Sequence, residues 1–173
     1  MSNQLAGLLP SVVGLGSVAM VAAFLTHTRV WAEEVQGQMR GAVQLALVTT
    51  LLQAAHFAEE LSTGFEERLP ALFGLSPIPS RGFVAFNIVW LAIWGLSVWG
   101  LAQRRRLALF PLWFLAIASI VNGIAHPGFA LFEGSYFPGL LTAPVTGAMG
   151  VLLSRRLLRI TRPATLASVG RGT

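Results

Sequence analysis

Long apolar runs with few charges are the feature that most constrains how this chain folds. About 20 apolar residues are enough to cross the hydrocarbon core of a bilayer as a helix. Helices are expected because the bilayer core offers no water to satisfy backbone N–H and C=O groups. The sequence therefore predicts an all-α integral membrane bundle of about five transmembrane helices. They are expected near residues 5–26, 41–58, 83–102, 107–125 and 139–153, in a single domain over 1–162 followed by a disordered tail at 163–173.

The composition agrees with this class. Hydrophobic residues make up 54% of the chain and charged residues 11%, whereas soluble domains are about a quarter charged. The net charge of +5 comes from arginines that lie between and after the apolar runs, as in cytoplasmic loops. This placement argues against nucleic-acid binding. The absence of cysteine excludes disulfides and thiol chemistry. The expected partners are the lipid bilayer and an amphiphilic small molecule, and the sequence leaves the oligomeric state open.

The arginines also predict an orientation. Those at 104–106 and 155–162 belong on the cytoplasmic side, which places the N-terminus outside and the C-terminus inside. The ends of the second and fourth helices then lie at the same depth in the outer leaflet. The loop that joins the second helix to the third, 61–81, is apolar enough to lie along the membrane surface. The expected location is the inner membrane of a bacterial cell.

The second helix ends in a histidine and two carboxylates. Gln53, His56 and Glu60 continue a polar stripe on one helix face, and Glu59 lies beside it. Ionisable groups in a membrane segment usually face a bundle interior or a water-filled cavity. Imidazole and carboxylate one turn apart form half of a site for zinc, iron or manganese. They can equally act as a proton donor and acceptor. The alternative is that both glutamates are solvated at the helix end.

The fourth helix carries a second pair, Asn122 and His126, four residues apart on one face. His126 precedes Pro127, which disfavours helical geometry in the preceding residue, so the helix is expected to end there. A histidine at a helix end can turn toward a neighbour. The alternative is a packing asparagine and a surface histidine.

Further candidates lie on the adjoining segments. Tyr136, the only tyrosine, is either a hydrogen-bond or proton donor or an interfacial anchor. Glu133 is a candidate further carboxylate. Asn87, Trp90 and Trp94 share one side of the third helix, where they either line a substrate site or serve as packing residues.

Three of these segments resemble one family. His56-Phe-Ala-Glu59-Glu60, Asn122-Gly-Ile-Ala-His126 and Tyr136-Phe-Pro138-Gly139 look like the three motifs of the HXXEE family of small multi-pass membrane proteins. The match extends from about Gly41 to Thr146 with the motifs in the expected order. The resemblance implies that the two histidines, Glu59, Glu60 and Asn122 are signature positions. It implies no particular reaction.

The leading hypothesis is a membrane-embedded enzyme with a divalent metal, zinc, iron or manganese, held by His56, His126 and Glu59 or Glu60. Such a site activates water or oxygen and would act on a lipid-like substrate at the outer leaflet. The second is a metal-free isomerase or cyclase of an isoprenoid or sterol-like substrate. In it a glutamate protonates an alkene, and Trp90 and Trp94 shelter the cation. The third is a non-catalytic binding or transport protein. In the enzyme hypotheses the catalytic candidates are Glu59, Glu60, His56, Asn122 and Tyr136; Gln53, Asn87, Trp90, Trp94 and Glu133 are the substrate-binding candidates.

Overall fold

The structure is a computed structural model that describes residues 7–33 and 35–164. The predicted all-α class is confirmed, with one short pair of strands in addition. In chain order the elements are α1 Leu9–Thr28, β1 Arg29–Trp31, α2 Gln36–Thr63, α3 Phe65–Ala71, α4 Ser80–Ala102, α5 Leu109–Glu133, α6 Ala143–Ile160 and β2 Thr161–Pro163. Most of the tail expected to be disordered lies outside the described residues, but Pro163 belongs to β2.

Four helices in the described part of the chain are long and apolar enough to cross a membrane. They span Leu9–Thr28, Gly37–Thr63, Ser80–Ala102 and Arg106–Glu133. The fifth expected span corresponds to α6, which starts at Ala143 and carries Arg155, Arg156 and Arg159 in its last two turns. One face of α6 is buried along its whole length against α2 and α5. This helix completes the bundle without having the composition of the other four.

Helix α5 does not end at His126, and this corrects the expectation from the sequence. It runs through Pro127 to Glu133, where Gly134 caps it with a left-handed φ of 64°. Proline removes one backbone donor, but the helical hydrogen bonds on both sides persist, as is common in transmembrane helices. His126 therefore lies about 10 Å inside the end of the helix.

Glycines allow α5 and α6 to pack closely. A Cβ atom built on Gly123 would lie 2.7 Å from the Cα of Gly147, and one built on Gly150 would lie 2.5 Å from the carbonyl oxygen of Ala116. No side chain fits in these positions, so the two backbones are in direct contact. Small residues produce such close helix contacts in membranes. This contact determines where the segment joining α5 to α6 lies.

The two strands, one after α1 and one after α6, pair at the end of the bundle that carries most of the arginines. β1 pairs antiparallel with β2, with Arg29 opposite Pro163. The Arg29 side chain donates to the hydroxyl and carbonyl of Thr161, both at 2.8 Å. Partial burial lowers the pKa of Arg29 from its usual value. The ribbon thus attaches α1, which is otherwise mostly exposed, to the end of α6.

Replacing Gly123 by alanine is expected to destabilise the bundle, whereas Gly95→Ala is not. Alanine favours a helix by about 1 kcal/mol over glycine at both positions. A Cβ atom at Gly95 meets open space, but at Gly123 it meets the backbone of Gly147. Overpacking of this kind costs about 1–3 kcal/mol. Thermal unfolding of both variants in detergent measures the difference, and equal midpoints would contradict the packing described here.

Candidate metal centre

Three side chains from α2 and α5 converge in the interior of the bundle. His56, Glu60 and His126 are 0%, 6% and 2% exposed. The Nε2 atoms of both histidines lie 3.4 Å from Oε1 of Glu60. The ligand atoms of the three residues all lie within 4.8 Å of one another, an arrangement that could hold a metal ion.

The helices explain this convergence. His56 and Glu60 are one turn apart on α2, so they share a face. His126 is on α5 and approaches the same space, with the two imidazole rings edge to face at 4.8 Å between centroids. The structure therefore brings together the first histidine motif and the second. Of the two glutamates that the sequence left open, Glu60 is the one between the histidines.

The hydrogen bond of His126 determines which ring nitrogen carries its proton. Its Nδ1 lies 2.5 Å from the carbonyl oxygen of Pro138. A carbonyl only accepts hydrogen bonds, so Nδ1 must be the protonated nitrogen. In the neutral ring the lone pair is then on Nε2, the atom that faces Glu60.

The same reasoning applies to His56 through a relay of two hydrogen bonds. The hydroxyl of Thr142 donates to Oε2 of Glu59 at 2.5 Å. Its oxygen is then free to accept from Nδ1 of His56, which lies 2.7 Å away. His56 therefore also carries its proton on Nδ1 and presents the Nε2 lone pair to Glu60. Outer hydrogen bonds of this kind orient metal-binding histidines in proteins.

The result is a buried group of three acceptor atoms. With Glu60 ionised, two imidazole lone pairs and a carboxylate oxygen face one another, and Nε2 of His56 has no hydrogen-bond partner among the described residues. Such a group needs a cation or an added proton. Two ligand atoms about 2.1 Å from zinc at a tetrahedral angle lie about 3.4 Å apart. Both nitrogen–oxygen distances to Glu60 match that separation.

The segment between α5 and α6 covers the group. Gly139 has a left-handed φ of 83°, and a Cβ atom there would lie 2.7 Å from Nδ1 of His126 and 2.8 Å from Cε1 of His56. Phe137 is completely buried and packs against His126. Phe65 of α3 stacks on His126 with ring centroids 5.4 Å apart and lies edge to face with Phe137 at 6.1 Å between centroids. The group is therefore enclosed by aromatic rings and by a close backbone contact.

Glu59 anchors this covering segment instead of joining the two histidines. Its carboxylate accepts hydrogen bonds from the hydroxyl of Tyr136 at 2.6 Å, from the N–H groups of Leu141 and Thr142 at 2.9 Å, and from the hydroxyl of Thr142. Four donors occupy all the lone-pair positions of a carboxylate. Tyr136 remains 42% exposed. Partial burial of its hydroxyl and the hydrogen bond to Glu59 raise its pKa.

Two polar candidates lie on the helices that carry the centre. Gln53 is buried one turn before His56, and its Oε1 accepts from Ser119 at 3.5 Å. Asn122 is half-buried one turn before His126.

The remaining candidates lie elsewhere. Asn87 donates to a carbonyl of its own helix, and Glu133 forms an ion pair with Arg68 of α3. Trp90 stacks on Phe114 at 4.3 Å between ring centroids, and Trp94 packs beside them. Phe114 precedes His126 on α5 by about 18 Å along the axis.

Sequence reasoning missed the residues that hold the histidines in place. Thr142 is not among the candidates that the sequence offers, yet it links His56 to Glu59. The Pro138 carbonyl accepts a hydrogen bond from His126, and a Cβ atom on Gly139 would lie only 2.7 Å from that ring. Pro138 and Gly139 themselves form a Pro-Gly pair, which predicts a turn. That turn was the available signal in the sequence.

No family model, no curated protein and no solved structure matches this chain.

Gly139→Ala is expected to destabilise the protein more than Gly134→Ala. Both glycines have positive φ, so each alanine costs about 1 kcal/mol of backbone strain. Only the new Cβ atom at position 139 meets the two imidazoles, while that at 134 meets open space. The extra contact is expected to add about 1–3 kcal/mol. Thermal unfolding of the two variants tests this, and equal losses would show that Gly139 does not press on the histidines.

Tyr136 is expected to ionise above the ordinary tyrosine pKa of about 10. Because the chain contains one tyrosine, phenolate absorbance reports it alone, with Tyr136→Phe as the blank. Glu59→Gln is expected to lower this pKa, and Glu133→Gln to leave it unchanged. The folded state holds the phenol proton more tightly than the unfolded state, so stability falls as the pH rises above 10. An ordinary pKa in the wild type that is insensitive to Glu59→Gln would contradict the contact.

Proposed function

We propose that this protein is a membrane-embedded, metal-dependent enzyme whose ion is held by His56, Glu60 and His126. Two histidines and one carboxylate leave a coordination position open, as in catalytic zinc sites and in non-haem iron oxygenases. The metal supplies activation of water or of oxygen there. Glu59, the other carboxylate of the motif, is proposed as the residue that orients His56.

One observation carries the proposal: two histidines are held in the metal-binding tautomer around a buried carboxylate. Chance packing would not require Pro138 and Thr142 each to occupy an Nδ1 atom. Nor would it leave Nε2 of His56 buried without a hydrogen-bond partner among the described residues, 3.4 Å from the carboxylate of Glu60. Nitrogen and oxygen ligands suit zinc, iron(II) and manganese, and these are the metals proposed.

The surrounding residues indicate the kind of substrate. Phe65 and Phe137 keep water from the buried side of the centre. Tyr136, at the exposed end of the Glu59 network, is placed to donate a hydrogen bond to a polar group arriving from outside. The centre lies about 10 Å inside the ends of two membrane-length helices. An amphiphilic substrate that enters from the bilayer fits this depth.

The topology is part of the proposal. Arg29, Arg106 and Arg162 lie at the end of the bundle where α1, α5 and α6 meet the strands. Placing that end in the cytoplasm, by the positive-inside rule, puts the metal centre in the outer leaflet of a bacterial inner membrane. The two histidines and Glu60 are also among the positions that the HXXEE resemblance implies to be its signature.

A second function uses the same residues without a metal. A proton shared between Glu60 and an imidazole would also relieve the contact of three acceptors, and it would make the group an acid–base pair for isomerising an isoprenoid. The 3.4 Å separations favour it less, because they exceed the usual N–H···O distance of about 2.9 Å. The walls here are Phe65 and Phe137, since Trp90 and Trp94 lie far along the bundle.

Elemental analysis of the detergent-solubilised protein tests the metal. Wild-type protein is expected to hold close to one zinc, iron or manganese ion per chain. His56→Ala, His126→Ala and Glu60→Gln are each expected to abolish this binding. Thr142→Val is expected to weaken it by about 10- to 100-fold, because it removes the partner of His56 Nδ1.

His27→Ala is the matched control, because His27 is exposed at the end of α1 and is expected to leave the metal content unchanged. Wild-type protein that holds no ion, even after incubation with each of the three metals, would contradict the proposal. Retained metal with no turnover of lipid-like substrates would favour the third possibility, a binding or transport protein.

A further inference from the structure

A cavity lies at the opposite end of the bundle from the histidines. It is a groove of about 520 Å³ between the first turns of α2 and the last turns of α6. We call the part nearest this end of the bundle the outer part of the groove. One of its sides is formed by Arg155, Arg156 and Arg159, and the other by Gly41 and Gln44. None of these residues belongs to the proposed metal centre, and nothing in the proposed function uses the groove.

The groove is lined by three arginines and by no carboxylate among the described residues. Within residues 7–33 and 35–164, the ion pairs of arginine are Arg68 with Glu133 and Arg162 with Glu33. Among the described residues, therefore, no carboxylate lies within ion-pair distance of the three groove arginines. Arginine guanidinium groups bind phosphate through paired N–H donors. The outer part of the groove thus has the chemistry of an anionic phosphate site.

The inner part of the groove is apolar. α2 and α6 run in opposite directions here, so Leu45 and Val48 of α2 lie level with Met149 and Leu152 of α6. These four side chains lie one to two helical turns, or about 5–10 Å, further along the bundle than the arginines. The groove thus changes from cationic to apolar along the direction that crosses the membrane.

Glycine keeps the outer part open. Gly41 faces Arg156, whose guanidinium lies 3.4 Å from the position of a Cβ atom on that glycine. A large side chain at 41 would occupy the space beside the guanidinium. Gln44, one turn further along α2, offers an amide to the same space.

We propose that this groove binds one anionic phospholipid, with the phosphate on Arg155, Arg156 and Arg159 and an acyl chain along Leu45, Val48, Met149 and Leu152. A free phosphate would use only the cationic part, and a zwitterionic lipid would leave the arginines unneutralised. Only an anionic amphiphile satisfies both parts at once. Basic pockets between transmembrane helices bind anionic headgroups in this way.

Native mass spectrometry of delipidated protein in neutral detergent tests the site. Wild-type protein is titrated with dioleoylphosphatidylglycerol, with dioleoylphosphatidylcholine and with inorganic phosphate. One phosphatidylglycerol is expected to bind at least about 10-fold more tightly than phosphatidylcholine, since each interfacial arginine favours an anionic lipid by about 5-fold. Phosphate alone is expected not to compete at lipid-saturating concentrations.

Two variants test whether the lipid binds in the groove. Arg155→Gln/Arg156→Gln/Arg159→Gln is expected to weaken phosphatidylglycerol binding on the order of 100-fold, the product of three factors of about 5. Gly41→Leu keeps every charge but fills the outer part, and it is also expected to weaken binding. It decides the matter if the triple variant does not fold.

The matched control is Arg104→Gln/Arg105→Gln/Arg106→Gln, which removes the same charge from the same end of the bundle but outside the groove. It is expected to change the affinity little. An equal loss in both triple variants, equal binding of the two lipids, or displacement of the lipid by phosphate would each overturn the proposal. The proposal would also be overturned if Gly41→Leu and the groove triple variant both bound phosphatidylglycerol as tightly as the wild type.

Discussion

The arrangement of the candidate metal centre depends on the hydrogen bonds that the Glu59 carboxylate accepts. This carboxylate accepts hydrogen bonds from the N–H groups of Leu141 and Thr142 and from the hydroxyl of Thr142, just before α6. These bonds attach the segment after α5 to the end of α2. That attachment places Thr142 against His56 and Pro138 against His126. The orientation of both imidazole rings therefore depends on the partly exposed carboxylate of Glu59. The centre and its cover form one hydrogen-bonded unit, because neither histidine is positioned by its own helix alone.

The bundle could be predicted from the sequence to the level of its helices and its polar residues. Apolar runs and the arginine-based orientation were enough to predict that His56, Glu60 and His126 lie at one depth. Helical periodicity predicted that His56 and Glu60 share a face. The choice between Glu59 and Glu60 could not be made. Adjacent residues on a helix point about 100° apart, and either direction could have faced α5.

Other features depend on contacts between segments far apart in the chain. The role of Thr142 requires knowing that the start of α6 lies against the end of α2. The extension of α5 beyond Pro127 requires that a single missing hydrogen bond be outweighed by those around it. The separation of Trp90 and Trp94 from the histidines follows from their packing on Phe114, which no local pattern reveals. Local sequence patterns thus identified the candidate site residues, while tertiary contacts determined how these residues are arranged.

The ribbon of β1 and β2 has a consequence for biosynthesis. Arg29 and its partner Thr161 are 132 residues apart in the sequence, so the first helix enters the membrane long before the residue that fastens it has been translated. Closing so long a loop is entropically unfavourable until the intervening helices have packed. The ribbon therefore forms last, after the helices have been inserted one by one. Until then, α1 is attached to the bundle through its packing against α5, without the second attachment that the ribbon provides.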